Sequence, residues 1–259
     1  MAETILSGET LVLAIAGGIL PALLWLWFWL RRDRENPEPT GLIALSFAAG
    51  MAVVYFVLPV QKLIVELLPA IMHGIDTLAA SYDFVSPSTE TVQIILWAGA
   101  EEFGKFATVF LVAYHTRDFD EPMDAIIYLI TAALGFVAME NILYLIKDFD
   151  QGGGIQVLIN GNMRFIGATV LHTVSAAVLG IAFAFAFHSR FLIQFIAGFL
   201  GITIATLLHA YFNLSIMEAQ GTIALLTVFA QFWAVIIGII VLIEVVKRLK
   251  KPNQNPPTL

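Results

Sequence analysis

The sequence predicts an all-α fold, a polytopic transmembrane helical bundle of about seven spans, and three observations carry that prediction. Of its 259 residues, 59% are hydrophobic and only 13% are charged. A soluble domain carries about 25% charged residues, because its surface must face water. Mean hydropathy is +0.86, and the charges are bunched between apolar runs. Several of those runs reach the ~20 residues needed to cross a hydrocarbon core of about 30 Å. The net charge of −7 says less than where the charges stand. No cysteine is present, which excludes disulfides, thiolate metal ligands and a thiol nucleophile.

The first span is read over residues 11–30, stopped by Arg31, Arg32 and Arg34 and then by the Pro37-Glu38-Pro39 turn. Its positive charge follows the apolar stretch, and the stretch exceeds a signal-peptide core, so a retained anchor is expected. Residues 41–60 form the second span. Residues 61–80 show helical spacing (Leu63, Ile64, Leu67, Leu68, Ile71) broken by Pro69 and Gly74, which reads as an interfacial or re-entrant segment. A polar loop follows at 81–88. Further spans are expected at 91–114, 123–146, 162–187, 191–216 and 223–246. Gly152-Gly153-Gly154 separates the fourth from the fifth, and Lys247, Arg248, Lys250 and Lys251 close the seventh ahead of a polar tail at 252–259. Three regions follow: 1–90 with two spans and the interfacial segment, a four-helix catalytic core at 91–216, and a last span with its tail at 217–259.

Basic residues set the expected orientation. With the N-terminus outside, Arg31, Arg32, Arg34, Arg117, Arg190, Lys247, Arg248, Lys250 and Lys251 fall on the cytoplasmic side, and only Lys62 and Lys147 lie in outer loops. Positive residues gather on the cytoplasmic side of membrane proteins, so the C-terminus is expected in the cytoplasm.

Ionisable and amide groups inside the spans carry the functional signal. A central charge costs about 2.5–3.5 kcal/mol even on mild insertion scales, so such residues line cavities or do chemistry. Here they are Glu101, Glu102 and Lys105 in the third span, Glu140 and Asn141 in the fourth, Arg164 and His172 in the fifth, and His209 and Asn213 in the sixth. A helical rise of about 1.5 Å per residue sets Glu101 and His172 roughly 15 Å below the outer ends of their spans. Glu140 and His209 fall roughly 10 Å from the outer ends. Four alternating helices therefore bring polar groups to one layer of the outer leaflet, which reads as one site.

Two imidazoles with carboxylates and no thiolate suit zinc. Glu140, His172 and His209 form the expected metal set, leaving a position for water whose pKa falls to about 7. Glu101 or Glu102 is then the general base, and Lys105, three and four residues on, pairs with either. Asn213, one turn after His209, is the expected oxyanion donor. Asn141 and Arg164 are supporting residues. Each has a plainer reading: Glu101 with Lys105 as a packing ion pair, His172 as a helix–helix hydrogen bonder through Thr173 and Ser175, and Arg164 as an anchor at the outer mouth. Taken together, the polar groups favour peptide-bond hydrolysis. His73, His115 and His188 are expected at solvated span ends.

The same residues resemble a known family. Glu101-Glu102-Phe103-Gly104-Lys105 reads as EExxK, Phe136 to Glu140 as FxxxE followed by Asn141, and His209 to Asn213 as HxxxN, with His172 behind Arg164 between them. In this order on successive spans the set resembles the PrsW family of intramembrane proteases, distant relatives of the CAAX prenyl endopeptidases. The resemblance covers 91–216. It implies cleavage of a membrane-anchored protein on its extracytoplasmic side, with anti-sigma factors as the best-known target class, in a bacterial or archaeal cytoplasmic membrane. One departure from the CAAX relatives stands out: their corresponding span carries histidine where this chain has Glu140, and arginine stands near the Lys105 position. Their metal set therefore does not transfer.

Competing mechanisms lack their motifs. The chain has no HExxH, no GxGD beside Tyr82-Asp83, and no GxSG. Two alternatives stay open: a metal-free protease using Glu101 or Glu102 with His172, and a proton- or cation-coupled transporter, for which inverted repeats are a frequent sign that is not evident here. The expected partners are the lipid bilayer and a membrane-anchored protein substrate, with no nucleic acid.

Overall fold

The computed structural model describes residues 8–31, 36–150 and 154–248, the stretch 154–165 as backbone only. The described residues form seven helices and no strand: α1 (Gly8–Leu30), α2 (Thr40–Tyr82), α3 (Thr89–Val112), α4 (Pro122–Asp150), α5 (Gly154–Ala186), α6 (Phe191–Glu218) and α7 (Thr222–Val246). Arg32, Arg34, Gly152, Gly153, Lys250, Lys251 and the tail, together with the Arg164 side chain, lie outside what is described.

α4 is the central element. Every residue from Pro122 to Ala138 is buried, as expected of a helix that is hydrophobic all round and surrounded by others. α1, α2 and α5 pack along it, α3 and α7 touch it, and α6 sits outside, against α5 and α3. Small residues set the α2–α4 distance. A Cβ placed on Gly50 would overlap the Ala132 carbonyl, and one on Gly135 would overlap the Phe47 carbonyl, so backbone packs on backbone there.

Six of the seven helices are long and apolar enough to cross a membrane. The exception is α3, the third expected span, because Glu101, Glu102 and Lys105 sit in its middle. It nonetheless packs between α2 and α6. The exposed apolar side chains, among them Phe56, Leu111, Phe191 and Ile237, form the lipid-facing surface of a multi-pass membrane protein.

Residues 61–80 correct the sequence reading. They are neither a separate nor a re-entrant element, but continue the helix of the second span, 43 residues in all with Pro59 and Pro69 inside it. The reason is visible in the burial pattern. Val54, Val57, Leu68 and Ala79 are buried, with partly buried Gln61, Ile64 and Ile75 between them, so one stripe at helical spacing runs unbroken. Each proline removes a single backbone hydrogen bond, a loss that membrane helices tolerate. The helix ends where Asp83 takes a left-handed conformation (φ 54°).

The opposite end of the bundle is tied by acidic side chains. Asp124 Oδ2 accepts from the backbone N–H groups of Asp120 (2.6 Å) and Glu121 (2.7 Å). Tyr128 Oη donates to Glu38 Oε2, which fastens the α1–α2 connection to α4. His73, His115 and His188 are exposed; His115 and His188 stand just beyond helix ends, whereas His73, expected at a span end, lies within α2 nine residues before its last.

Candidate functional site

The polar side chains of α3, α4, α5 and α6 meet. Trp97 and Glu101, four residues apart, share one face of α3. Glu102 and Lys105, three apart, share the neighbouring face that points into the bundle. Glu102 and Lys105 are 0% and 1% exposed. Lys105 Nζ donates to Glu102 Oε1 at 2.6 Å and lies 2.9 Å from His172 Nδ1. Of the two glutamates that sequence spacing allowed as its partner, Lys105 takes Glu102.

Glu102 also fixes His209. The same Oε1 is 2.7 Å from His209 Nδ1, and a carboxylate accepts only, so Nδ1 carries the proton and donates. This leaves the lone pair on His209 Nε2, which stands 3.6 Å from Glu101 Oε2. That oxygen is buried and has no hydrogen-bond partner. Oε1 of Glu101 accepts from Gln61 Nε2 at 2.8 Å, and the Gln61 carbonyl accepts from Trp97 Nε1 at 3.2 Å.

His172 is held from both sides. Its Nε2 lies 3.1 Å from Glu140 Oε2, its ring packs on Phe136 at 5.4 Å, and it meets the His209 ring edge-on at 5.0 Å. Lys105 Nζ also stands 5.3 Å over the Phe136 ring, a cation–π contact. Thus the FxxxE residues Phe136 and Glu140 both touch His172, one turn apart on α4.

A cavity of about 520 Å³ opens beside this cluster, lined by Gln61, Glu101, Glu140, His172, His209 and Asn213 and walled by apolar residues including Ile94, Leu171, Phe212 and Phe229. Glu140 has the greatest solvent access of the site carboxylates, at 35% for its side chain. Asn141 is buried, its Nδ2 without a hydrogen-bond partner, and it is not among the residues lining the cavity.

Among the described residues, Glu101, His172 and His209 offer one ligand atom each within 4.8 Å of one another. The expected metal set named Glu140 in place of Glu101. The geometry groups the α3 carboxylate with the imidazoles and sets Glu140 against His172. The donor set is two nitrogens and one carboxylate oxygen, and two of the three side chains, His209 and Glu101, present an atom without a hydrogen bond. That chemistry fits a zinc ion.

Sequence reasoning missed Gln61 and Trp97. The only signal was a lone amide between Pro59 and Pro69, and the interfacial reading of 61–80 assigned it to the membrane surface.

Comparison with known proteins identifies the family. A family model described as PrsW family intramembrane metalloprotease matches residues 38–243. Protease PrsW of Oceanobacillus iheyensis is 27% identical over 242 residues, covering 93% of this chain and 96% of that protein. Protease PrsW of Geobacillus kaustophilus is 27% identical over 169 residues, covering 65% of this chain and 64% of its own length. Protease PrsW of Bacillus subtilis is 27% identical over 146 residues, covering 56% and 59% respectively. The matched part of this chain thus spans under two thirds of the Geobacillus and Bacillus relatives. No solved structure matches. With bacterial relatives and six apolar spans, this is a multi-pass protein of the bacterial cell membrane, and the chain belongs to the PrsW family of intramembrane metalloproteases.

Proposed function

We propose that the cavity hydrolyses a peptide bond of a membrane-anchored protein, with Glu101, His172 and His209 holding a zinc ion. The observation that carries this reading is the convergence of their three ligand atoms within 4.8 Å, beside a cavity large enough for an extended backbone. Zinc bound there supplies a water acidic enough to be deprotonated near neutral pH.

The protein's own groups divide the remaining work. Glu102 holds His209 in the tautomer that leaves Nε2 open, the carboxylate–histidine arrangement typical behind metal ligands. Lys105 balances the Glu102 charge in a place where an unpaired carboxylate would be costly. Glu140 is the carboxylate with solvent access. It takes the proton that water loses on attacking the scissile carbonyl and returns it to the leaving amine. Asn213, on the cavity wall, donates to the oxyanion that develops. This exchanges the roles first expected for Glu101 and Glu140, with Glu102 as a positioning residue. Asn141 and Arg164 remain supporting residues.

A metal-free scheme has one observation in its favour. If Lys105 donates to His172 Nδ1, then His172 Nε2 bears the proton and donates a hydrogen bond to Glu140, so neither His172 nitrogen is open. In that scheme Glu140 and His172 activate water together.

The α2–α3 and α6–α7 connections lie at the end of the bundle nearer the cavity, which Ile94, Met217 and Leu225 help to line. Arg31, Arg117, Arg190, Lys247 and Arg248 stand at the other end, and the preference of positive residues for the cytoplasmic side supports a cavity that faces the extracytoplasmic side. The substrate class is a protein anchored by a membrane span and cut near that side, anti-sigma-factor-like by the family resemblance. The catalytic unit is 91–216 with α2 joined to it through Gln61. Zinc content and cleavage of a single-span reporter, measured on the same purified protein, test the reading. One zinc per chain together with cleavage supports it, and cleavage by metal-free protein selects the second scheme.

A further inference from the structure

Two adjacent glutamates in one membrane helix have opposite surroundings, and the difference traces to α2. Glu102 meets an ammonium and an imidazole. Glu101 meets the neutral amide of Gln61, whose Nε2 donates to Oε1 at 2.8 Å. An amide donor orients a carboxylate without cancelling its charge. With Oε1 occupied, one oxygen remains, and that is the buried Oε2, which lacks a hydrogen bond and lies 3.6 Å from His209 Nε2.

Gln61 is itself fixed at two points on one face of α3. Its side chain holds Glu101, and its backbone carbonyl takes the Trp97 indole N–H at 3.2 Å, one turn earlier. This matters because Pro59 and Pro69 flank it in α2. Each proline deletes a backbone hydrogen bond and loosens the helix locally. The two contacts pin that stretch of α2 against α3 at the level of the cavity, which Gln61 and Trp97 both line.

We propose that Gln61 is a positioning residue of the site, presenting Glu101 through a single oxygen to the zinc ion, with Trp97 holding Gln61 in register. This rests on the zinc reading above. Gln61→Met keeps length and helix propensity but deletes the donor, and Gln61→Glu keeps shape but turns the donor into a like charge. Both are compared with wild type for zinc affinity by chelator competition, thermal unfolding in detergent, and kcat and KM on a single-span reporter.

The expected result for Gln61→Met is zinc affinity lower by about 10-fold or more, in the range seen when groups supporting a metal ligand are lost. Its kcat falls while KM and the melting temperature stay near wild type. Gln61→Glu loses more of both zinc affinity and kcat, and Trp97→Phe loses less. Wild-type zinc affinity and kcat in Gln61→Met overturn this proposal alone. A wild-type protein that neither binds zinc nor cleaves the reporter overturns the parent reading and this one with it.

Discussion

Glu102 Oε1 lies 2.7 Å from His209 Nδ1, and the same oxygen accepts from Lys105 Nζ at 2.6 Å. One buried oxygen thereby sets the tautomer of a histidine on α6 and neutralises a lysine on its own helix. Glu102→Gln keeps the shape but no longer fixes the tautomer. Zinc affinity is expected to fall about 10- to 100-fold, as for other groups behind metal-bound histidines. Equilibrium dialysis against zinc checks this, and unchanged affinity would remove Glu102 from the site's support.

Removing Lys105 alone should destabilise the fold. Breaking a buried pair on one side typically costs about 3–5 kcal/mol because the partner charge remains. Lys105→Met is expected to melt well below wild type in detergent. Lys105→Met with Glu102→Leu should recover much of that loss, since no buried charge is then left alone. A double variant no more stable than the worse single variant contradicts this.

Glu140 and Glu101 are separable by experiment. Glu140→Gln is expected to retain zinc while cleavage drops about 10²-fold or more, the usual contribution of a general base. Glu101→Gln should lose zinc and cleavage together. The reverse pattern would restore Glu140 as ligand and Glu101 as base.

Orientation can be read directly because the chain has no cysteine. A single cysteine at Ser86, between α2 and α3, should react with a membrane-impermeant maleimide on intact cells. One at Ser189, between α5 and α6, should react only after permeabilisation. The opposite labelling would turn the bundle over.

The spans were legible in the sequence because the charges stand between apolar runs of membrane-crossing length, and the convergence of Glu101, Glu140, His172 and His209 on one cavity followed from counting residues along alternating helices. What spacing alone could not decide was which partner each group takes. Lys105 can reach either glutamate by helical geometry, and the choice of Glu102 depends on how α5 and α6 bring His172 and His209 to that face. The continuity of α2 was hidden because Pro69 and Gly74 are breakers in isolation. The buried stripe through Leu68 and Ala79 that keeps the helix intact is a tertiary property, and so is the contact of Gln61 with Glu101.

The most direct test is zinc stoichiometry of the detergent-purified protein, wild type beside His209→Ala and Glu101→Ala, with cleavage of a single-span reporter followed in the same samples. About one zinc per chain in active wild type, lost with activity in both variants, is the result expected. Wild-type protein that cleaves the reporter without zinc would contradict the metal site and leave Glu140 with His172 as the hydrolytic pair.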